Sequence, residues 1–425
     1  MHSHKKQYHN PTHYQKLFPE LPPLHLEDDQ LWELSCTMVE RKTCADSKSI
    51  TNGEATFGQL LAHDMTFENV SSFKKSFQPK PLANQRSIGL DLDSMYGLRT
   101  ESYFYQKRQS SKLLLEQQQN DEETQRWWDV PRNSEGVAII PDPRDDESII
   151  VSRIHVLMMQ FHNQYINRFL KGMPEAEKFK EARLRMTWFY HWLIVHHYLY
   201  KVLDKSICDD IFQNGAQFYQ NPYFIPLEFS GAAFRTGHSQ SRDVNQLNEH
   251  TMAGIFDLGS FEAANVFVDW SYLFDCGDGK VQMAKKIDTK IAPAFHDIPF
   301  LKHEKDIRQR SLVFRNLKRG VVYGLPSGES VAKRLCLEPL QIPETEKLCL
   351  KGTPLWFYIL KEAELLNDGE FLGPVGSRIL GEVFITILKN DPNSYLVQHP
   401  KWEPNGLGND KGVFGFKELI NFICD

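Results

Sequence analysis

The 425-residue chain is expected to fold as a mainly α protein with very little β. Three observations carry that expectation. Apolar residues recur at three- and four-residue spacing over residues 54–64, 145–170, 176–203 and 373–389, the signature of amphipathic helices. Strand-like alternation is scarce, and no internal repeat is visible. A composition of 41% hydrophobic and 24% charged residues is ordinary for a globular chain long enough to bury a large core.

Residues 1–29 read as an N-terminal arm, laid on the rest or left free. The opening MHSHKKQYHNPTHYQK is polar and lacks an apolar stretch, so it does not read as a secretory signal peptide. A cytoplasmic protein, or export by a non-classical route, is expected. His2, His4, His9 and His13 could bind a metal, but a solvated arm is the preferred reading. Residues 30–425 read as one domain, with loops near 74–90, 116–144, 218–232, 272–298 and 324–354 marked by Pro, Gly or charge. The formal charge of −6 argues against a nucleic-acid surface. No apolar run approaches the roughly 18 residues of a membrane span. Seven scattered cysteines without a CxxC spacing suggest a reducing compartment and no zinc site.

Four short stretches carry chemistry. In FGQLLAHDMTF, His63 and Asp64 are adjacent on a helical run and so point about 100° apart. They cannot serve one small site from the same direction; either the pair is incidental or two sites meet there. In IIPDPRDDESII, Pro143 favours a helix start, placing Arg144 and Glu147 on one face as an intrahelical ion pair. FSGAAFRTGHSQ sets Arg235 and His238 three apart, and the small Ala232, Ala233 and Gly237 would let a flat group approach closely. RSIGLDLDSMYG offers Ser87, Asp91 and Asp93 with the Gly89 carbonyl, oxygen donors that suit a hard cation such as calcium or an Asx-rich turn.

Taken in order, FGQLLAHDMTF, LDLDSMYG, DPRDDE, FRTGH and LVFRNLKRGVVYGLP resemble the successive signatures of the animal-type haem peroxidases, a superfamily that includes myeloperoxidase-like enzymes, peroxidasins and cyclooxygenases. The later LGPVGSRILGEVFITIL looks like the bacterial-type branch. The resemblance spans residues 30 to 425 and implies a helical fold around a buried haem. It implies that hydrogen peroxide is reduced through a ferryl intermediate while a halide, pseudohalide or small organic donor is oxidised.

Position by position, the resemblance makes His63 the distal histidine and Arg144 the distal arginine, with Gln59 lining the same pocket. His238 matches the ligand of the haem iron, Asn316 the residue that orients it, and Arg235 the nearby arginine. Asp64 matches a calcium ligand, joined by Ser87, Gly89 through its carbonyl, Asp91 and Asp93. One helix would then aim His63 at haem and Asp64 into a calcium site. Ala62 stands where mammalian members carry an ester-forming aspartate, Glu147 matches the second ester-forming carboxylate, and Ser148 replaces a methionine that bonds the haem. Haem b is therefore expected, with at most one ester link, through Glu147. A weaker set of covalent links lowers the expectation of chloride oxidation.

Three rival readings exist. A fatty-acid dioxygenase on the same fold would carry a tyrosine three residues before the proximal histidine, where this chain has Arg235. The string WFYHWLIVHH, with Tyr190, His191 and Trp192, imitates the cyclooxygenase sequence but places Leu193 where a ligand should follow, and reads as a packed helix. A non-enzymatic haem protein would not need His63, Arg144, Glu147, His238 and Asn316 together. A non-haem metal site from His155, His162, His196 and His197 lacks an accompanying carboxylate motif.

Overall fold

A computed structural model describes residues 12–40, 44–67, 83–84, 86–97, 102–120, 124–257, 265–408 and 413–424. His2, His4, His9 and most of the 74–90 loop lie outside the described residues. Helices dominate, and the strands are short, none longer than the six residues of Asp46–Thr51 among those described. One continuous apolar core runs from Tyr14 to Ile423.

The Asn52–Met65 helix carries Gln59, His63 and Asp64. Its start is fixed by a reciprocal cap: the Thr51 hydroxyl accepts from the Glu54 amide at 3.3 Å, and the Glu54 carboxylate accepts from the Thr51 amide at 3.0 Å. Lys201 anchors the same Glu54 at 2.7 Å. Gly58 is required by packing, because a Cβ there would sit 2.5 Å from the Tyr198 hydroxyl. The helix packs against the Ile149–Phe169 helix, the 3-10 turn Pro143–Asp146 and the short Gly237–Gln240 helix, and so touches both stretches that carry the remaining candidate residues.

The segment read as one helix over 176–203 is Glu175–Leu193, a π-turn Ile194–Tyr198 and Leu199–Val202. The 373–389 segment is the Pro374–Asn390 helix. Part of the arm is laid on the body: Thr12–Gln15 pairs parallel with Phe224–Pro226 and antiparallel with Ala83–Asn84. Several stretches read as loops contain regular structure. Glu116–Gln119 and Arg126–Asp129 form a hairpin, and Gly328–Arg334 and Pro343–Lys347 are helices. These elements are too short, and EQQQ and RWWD too irregular in polarity, to show a period.

Candidate functional site

Most side chains of the Asn52–Met65 helix are buried, yet Gln59 in its middle is exposed and Ala55 and Ala62 are half-exposed. Positions 55, 59 and 62 form one stripe, so this face is left open rather than packed into the core, as the wall of a cleft would be. His63 stands at its edge and is buried. Its Nδ1 lies 2.7 Å from Asp145 Oδ1, and the other oxygen of that carboxylate lies 2.9 Å from His155 Nδ1. Burial by itself would raise the Asp145 pKa, but hydrogen bonds from His155 and His63 hold it well below the usual carboxylate range. Asp145 is thus a buried carboxylate shared by two imidazoles.

The neighbouring residue, Arg144, does not pair with Glu147 as an intrahelical ion pair would. Residues 143–146 form a 3-10 turn, and the guanidinium turns back onto the residue before the proline. Arg144 Nε and Nη2 donate to the Asp142 carboxylate at 3.0 and 2.7 Å, and Nη2 also donates to the His63 carbonyl at 2.9 Å. Arg86 donates to the same buried Asp142. Glu147 is exposed toward His63 and Arg144; burial raises its pKa, and the charges of those two residues pull the other way.

On the second side, Arg235 and His238 do not share one continuous helix. Leu227–Gly231, Ala233–Arg235 and Gly237–Gln240 are separate short pieces, the first two broken at Ala232, whose φ is −137°, and the last two meeting at Thr236. Ala232 and Ala233 are buried in the core, so they provide no approach path; Gly237 does, with open space beyond its Cα. Arg235 Nε donates to the Ser230 carbonyl at 2.8 Å. His238 keeps half-buried ring surface, while desolvation and the charges of Arg235 and Arg319 push its pKa down to about 3. The ring is neutral, the form that binds a metal. Asn316, buried on the Leu312–Val322 helix, brings its amide nitrogen within 2.8 Å of His238 Nδ1. With the amide turned through 180°, Asn316 Oδ1 would accept from Nδ1–H and leave Nε2 as a free lone pair.

Asp64 points away from this cleft. Its carboxylate accepts from the Leu92 amide at 3.0 Å, the Ser94 amide at 3.2 Å and the Tyr190 hydroxyl at 3.2 Å. The adjacency of His63 and Asp64 is used as two directions from one helix. Ser87 donates to the Gly89 carbonyl at 3.3 Å and to Asp91 at 3.0 Å. Arg183 lies 3.8 Å from Asp91 and 3.3 Å from Asp93. Burial and the charge of Asp93 raise the Asp64 pKa to about 7, and burial with Asp93 and Asp64 raises that of Asp91. The donors are hard oxygens and the charge calls for a cation, so their chemistry fits calcium. Among the described residues, however, no three His, Cys, Asp or Glu side chains converge as a metal cage.

The WFYHWLIVHH string proves to be scaffolding for this loop. Tyr190 holds Asp64, and His191 Nε2 lies 2.7 Å from the Leu90 carbonyl. The four histidines of the rival metal site are dispersed. His162 contacts Tyr96 and the Ser111 carbonyl, His196 contacts Tyr395, and His197 contacts the Phe414 carbonyl. Asp142, Asp145, Arg183 and Tyr190 were not singled out as site residues by sequence reasoning. Only the doubled Asp145-Asp146 after Arg144 hinted at them.

The residue types fit a haem: a neutral histidine with open space at the neighbouring Gly237, and an exposed glutamine near an anchored histidine and arginine. Comparisons with known proteins agree. Residues 71–278 match the family model for animal haem peroxidase, a span that includes Arg144 and His238 but not His63 or Asn316. Heme peroxidase 2 of Caenorhabditis elegans is 26% identical over 295 residues, covering 61% of this chain. The chain spans 39% of that relative's length. Peroxidase A from Dictyostelium discoideum shares the fold at a TM-score of 0.65 and 15% identity, covering 92% of this chain and 89% of that one. Oryza sativa fatty acid alpha-dioxygenase is similar at 0.64 and 13% identity, covering 99% and 80%. No described helix is long and apolar enough to cross a membrane. Residues 71–278 are thus similar to the animal haem peroxidases, and the chain shares the helical fold of these solved structures.

Proposed function

We propose that this chain is a peroxidase that reduces hydrogen peroxide and oxidises a small donor, with His63, Arg144 and Gln59 on the distal side and His238 as the iron ligand. The observation that carries this reading is the anchored distal pair: His63 fixed through Nδ1 and Arg144 fixed through Asp142, both on the cleft that Gln59 lines. Haem, when bound, supplies a ferric centre with one open face at which the O–O bond of peroxide is reduced by two electrons. His63 Nε2 takes a proton from one peroxide oxygen and returns it to the other, so that the departing oxygen leaves as water. Arg144, permanently charged, offsets negative charge as the bond breaks. Neutral His238 offers the lone pair, and Asn316 fixes the ring's orientation.

Ala62 and Ser148 provide no covalent tether, so the reading takes the bound group as haem b, with at most one ester, through Glu147, which matches the family's second ester-forming carboxylate. Acid-acetone extraction that strips all haem from the polypeptide would remove the ester from this reading. Bromide, iodide, thiocyanate or phenols are the expected donors, and steady chloride turnover at neutral pH would contradict that. Calcium is assigned to Asp64, Ser87, Gly89, Asp91 and Asp93, with Arg183 as the competing cation. Chelation should lower Tm and added calcium restore it; an unchanged Tm would assign the counter-charge to Arg183.

The absorption spectrum of the purified chain before and after peroxide tests the whole. A Soret band that shifts on peroxide addition is expected. The alpha-dioxygenase fold makes fatty-acid oxygenation the second reading. Arg235 occupies the position of the hydrogen-abstracting tyrosine of the cyclooxygenases, which disfavours it. Oxygen uptake with a polyunsaturated fatty acid and no peroxide would reverse the order.

A further inference from the structure

We infer that Asp145 is a positioning residue for the distal base: its two carboxylate oxygens hold the Nδ1–H of His63 and of His155 together, so that His63 presents Nε2 to the cleft as a lone pair. This inference rests on the peroxidase reading. It assigns a role to Asp145 and His155, which that reading leaves unused.

The geometry leaves little freedom. Asp145 is fully buried, and its Oδ1 and Oδ2 lie 2.7 and 2.9 Å from the two Nδ1 atoms. An ionised carboxylate only accepts, so each ring must carry its proton on Nδ1. That assignment leaves the lone pair of His63 on Nε2, where a proton acceptor is needed. His155 is 1% exposed, and its own Nε2 has no hydrogen-bond partner among the described residues. Its single polar contact there occupies the second oxygen of Asp145, which stops the carboxylate from rotating away from His63. Asp145 also follows Arg144 directly on the 143–146 turn. One turn therefore supplies the arginine of the cleft and the carboxylate that sets the tautomer of the histidine beside it.

An Asp145→Asn amide can accept from only one ring. Its NH2 faces the other Nδ1, and that ring must move its proton to Nε2. Whenever that ring is His63, the base becomes a donor and cannot take a proton from peroxide.

The test pairs a tautomer measurement with a rate. In the ¹⁵N-histidine-labelled chain as purified, held in the diamagnetic ferrous carbonmonoxide state where haem is bound, His63→Gln identifies the His63 resonances. Wild type should show Nδ1 protonated. Asp145→Asn should populate the Nε2–H form, and Asp145→Glu should retain Nδ1–H. In stopped flow, Asp145→Asn should slow the reaction with peroxide by about 10- to 100-fold, as loss of an orienting partner does, with Asp145→Glu recovering part of the rate. Asp146→Asn, on the same turn but not touching His63, serves as the control. An Nε2–H tautomer of His63 in wild type overturns the inference, and so does a D145N rate no slower than that of D146N. The wild-type tautomer decides the matter if D145N does not fold. A chain that retains no haem sinks the peroxidase reading, while the tautomer result still stands or falls by itself.

Discussion

On the side of the cleft that carries His63, four buried carboxylates each bind two partners. Asp142 takes Arg86 and Arg144, Asp145 takes His63 and His155, Asp146 takes Arg132 and Ser152, and Asp129 takes Arg132 and Arg153. On the side that carries His238, the ring's hydrogen bond among the described residues is to the Asn316 amide, and Arg235 donates to the Ser230 carbonyl. The difference matches the work each side would do. In the proposed reaction the groups on the His63 side must hold a proton acceptor and a positive charge in fixed places before peroxide arrives, and Asp145 and Asp142, which bind His63 and Arg144, preorganise them. A metal ligand needs only a neutral ring, correctly turned, because the metal itself completes its fixing. Buried ionic networks of this kind add little net stability, but they are costly to break, since the surviving partner is left as an uncompensated charge.

The comparison can be broken at several points. The largest effect should come from His238→Ala, which removes the proposed iron ligand and should abolish haem retention by pyridine haemochromogen assay. Full retention would mean that another residue is the ligand.

Next, Asp142→Ala strands Arg86 and Arg144 and should destabilise the fold by about 3–5 kcal/mol in a urea titration. A loss below about 1 kcal/mol would show that the distal network does not brace the fold.

A smaller effect is expected with acid. The pKa of Asp142 is lowered: burial raises it, and the Arg144 hydrogen bond and charge, with Arg86, more than offset this. Asp145 is lowered likewise by His155 and His63. For carboxylates with depressed folded pKa values, the stabilisation is present above the ordinary value near ~4 and is lost as pH falls through the folded value. The contribution of these two carboxylates should therefore hold from neutral pH down to about 5 and be lost below about 4, so that Tm falls less steeply in this acid range in D142A than in wild type. Equal acid slopes in the two proteins would mean that Asp142 contributes nothing to the acid response.

The smallest loss should come from Asn316→Ala, about 0.5–1.5 kcal/mol for one hydrogen bond. Its haem should become easier to extract. A loss matching that of D142A would erase the contrast between the two sides.

Much of this arrangement was legible in the chain. Helical periodicity marked the Asn52–Met65 helix, and the 100° between His63 and Asp64 meant either an incidental pair or two sites; the structure sends them in two directions, to Asp145 and to the Leu92 and Ser94 amides. Local geometry is written in consecutive residues, so it can be read there. The Arg144–Glu147 pair was misread because a 3-10 turn and an α-helix start share the same proline signal, and only the surrounding carboxylates choose between them.

What only tertiary structure decided are the pairings across distance. Asp145 lies 82 residues from His63, and Tyr190 lies 126 from Asp64. A carboxylate next to an arginine looks like solvated charge until the fold buries it between two imidazoles. WFYHWLIVHH reads as a packed helix, and only packing decides that Tyr190 meets Asp64 and His191 the Leu90 carbonyl. Sequence determines which way a side chain leaves its own helix, because that depends on neighbours in the chain. What it meets there depends on which helices pack together, and that is settled by burial over the whole core.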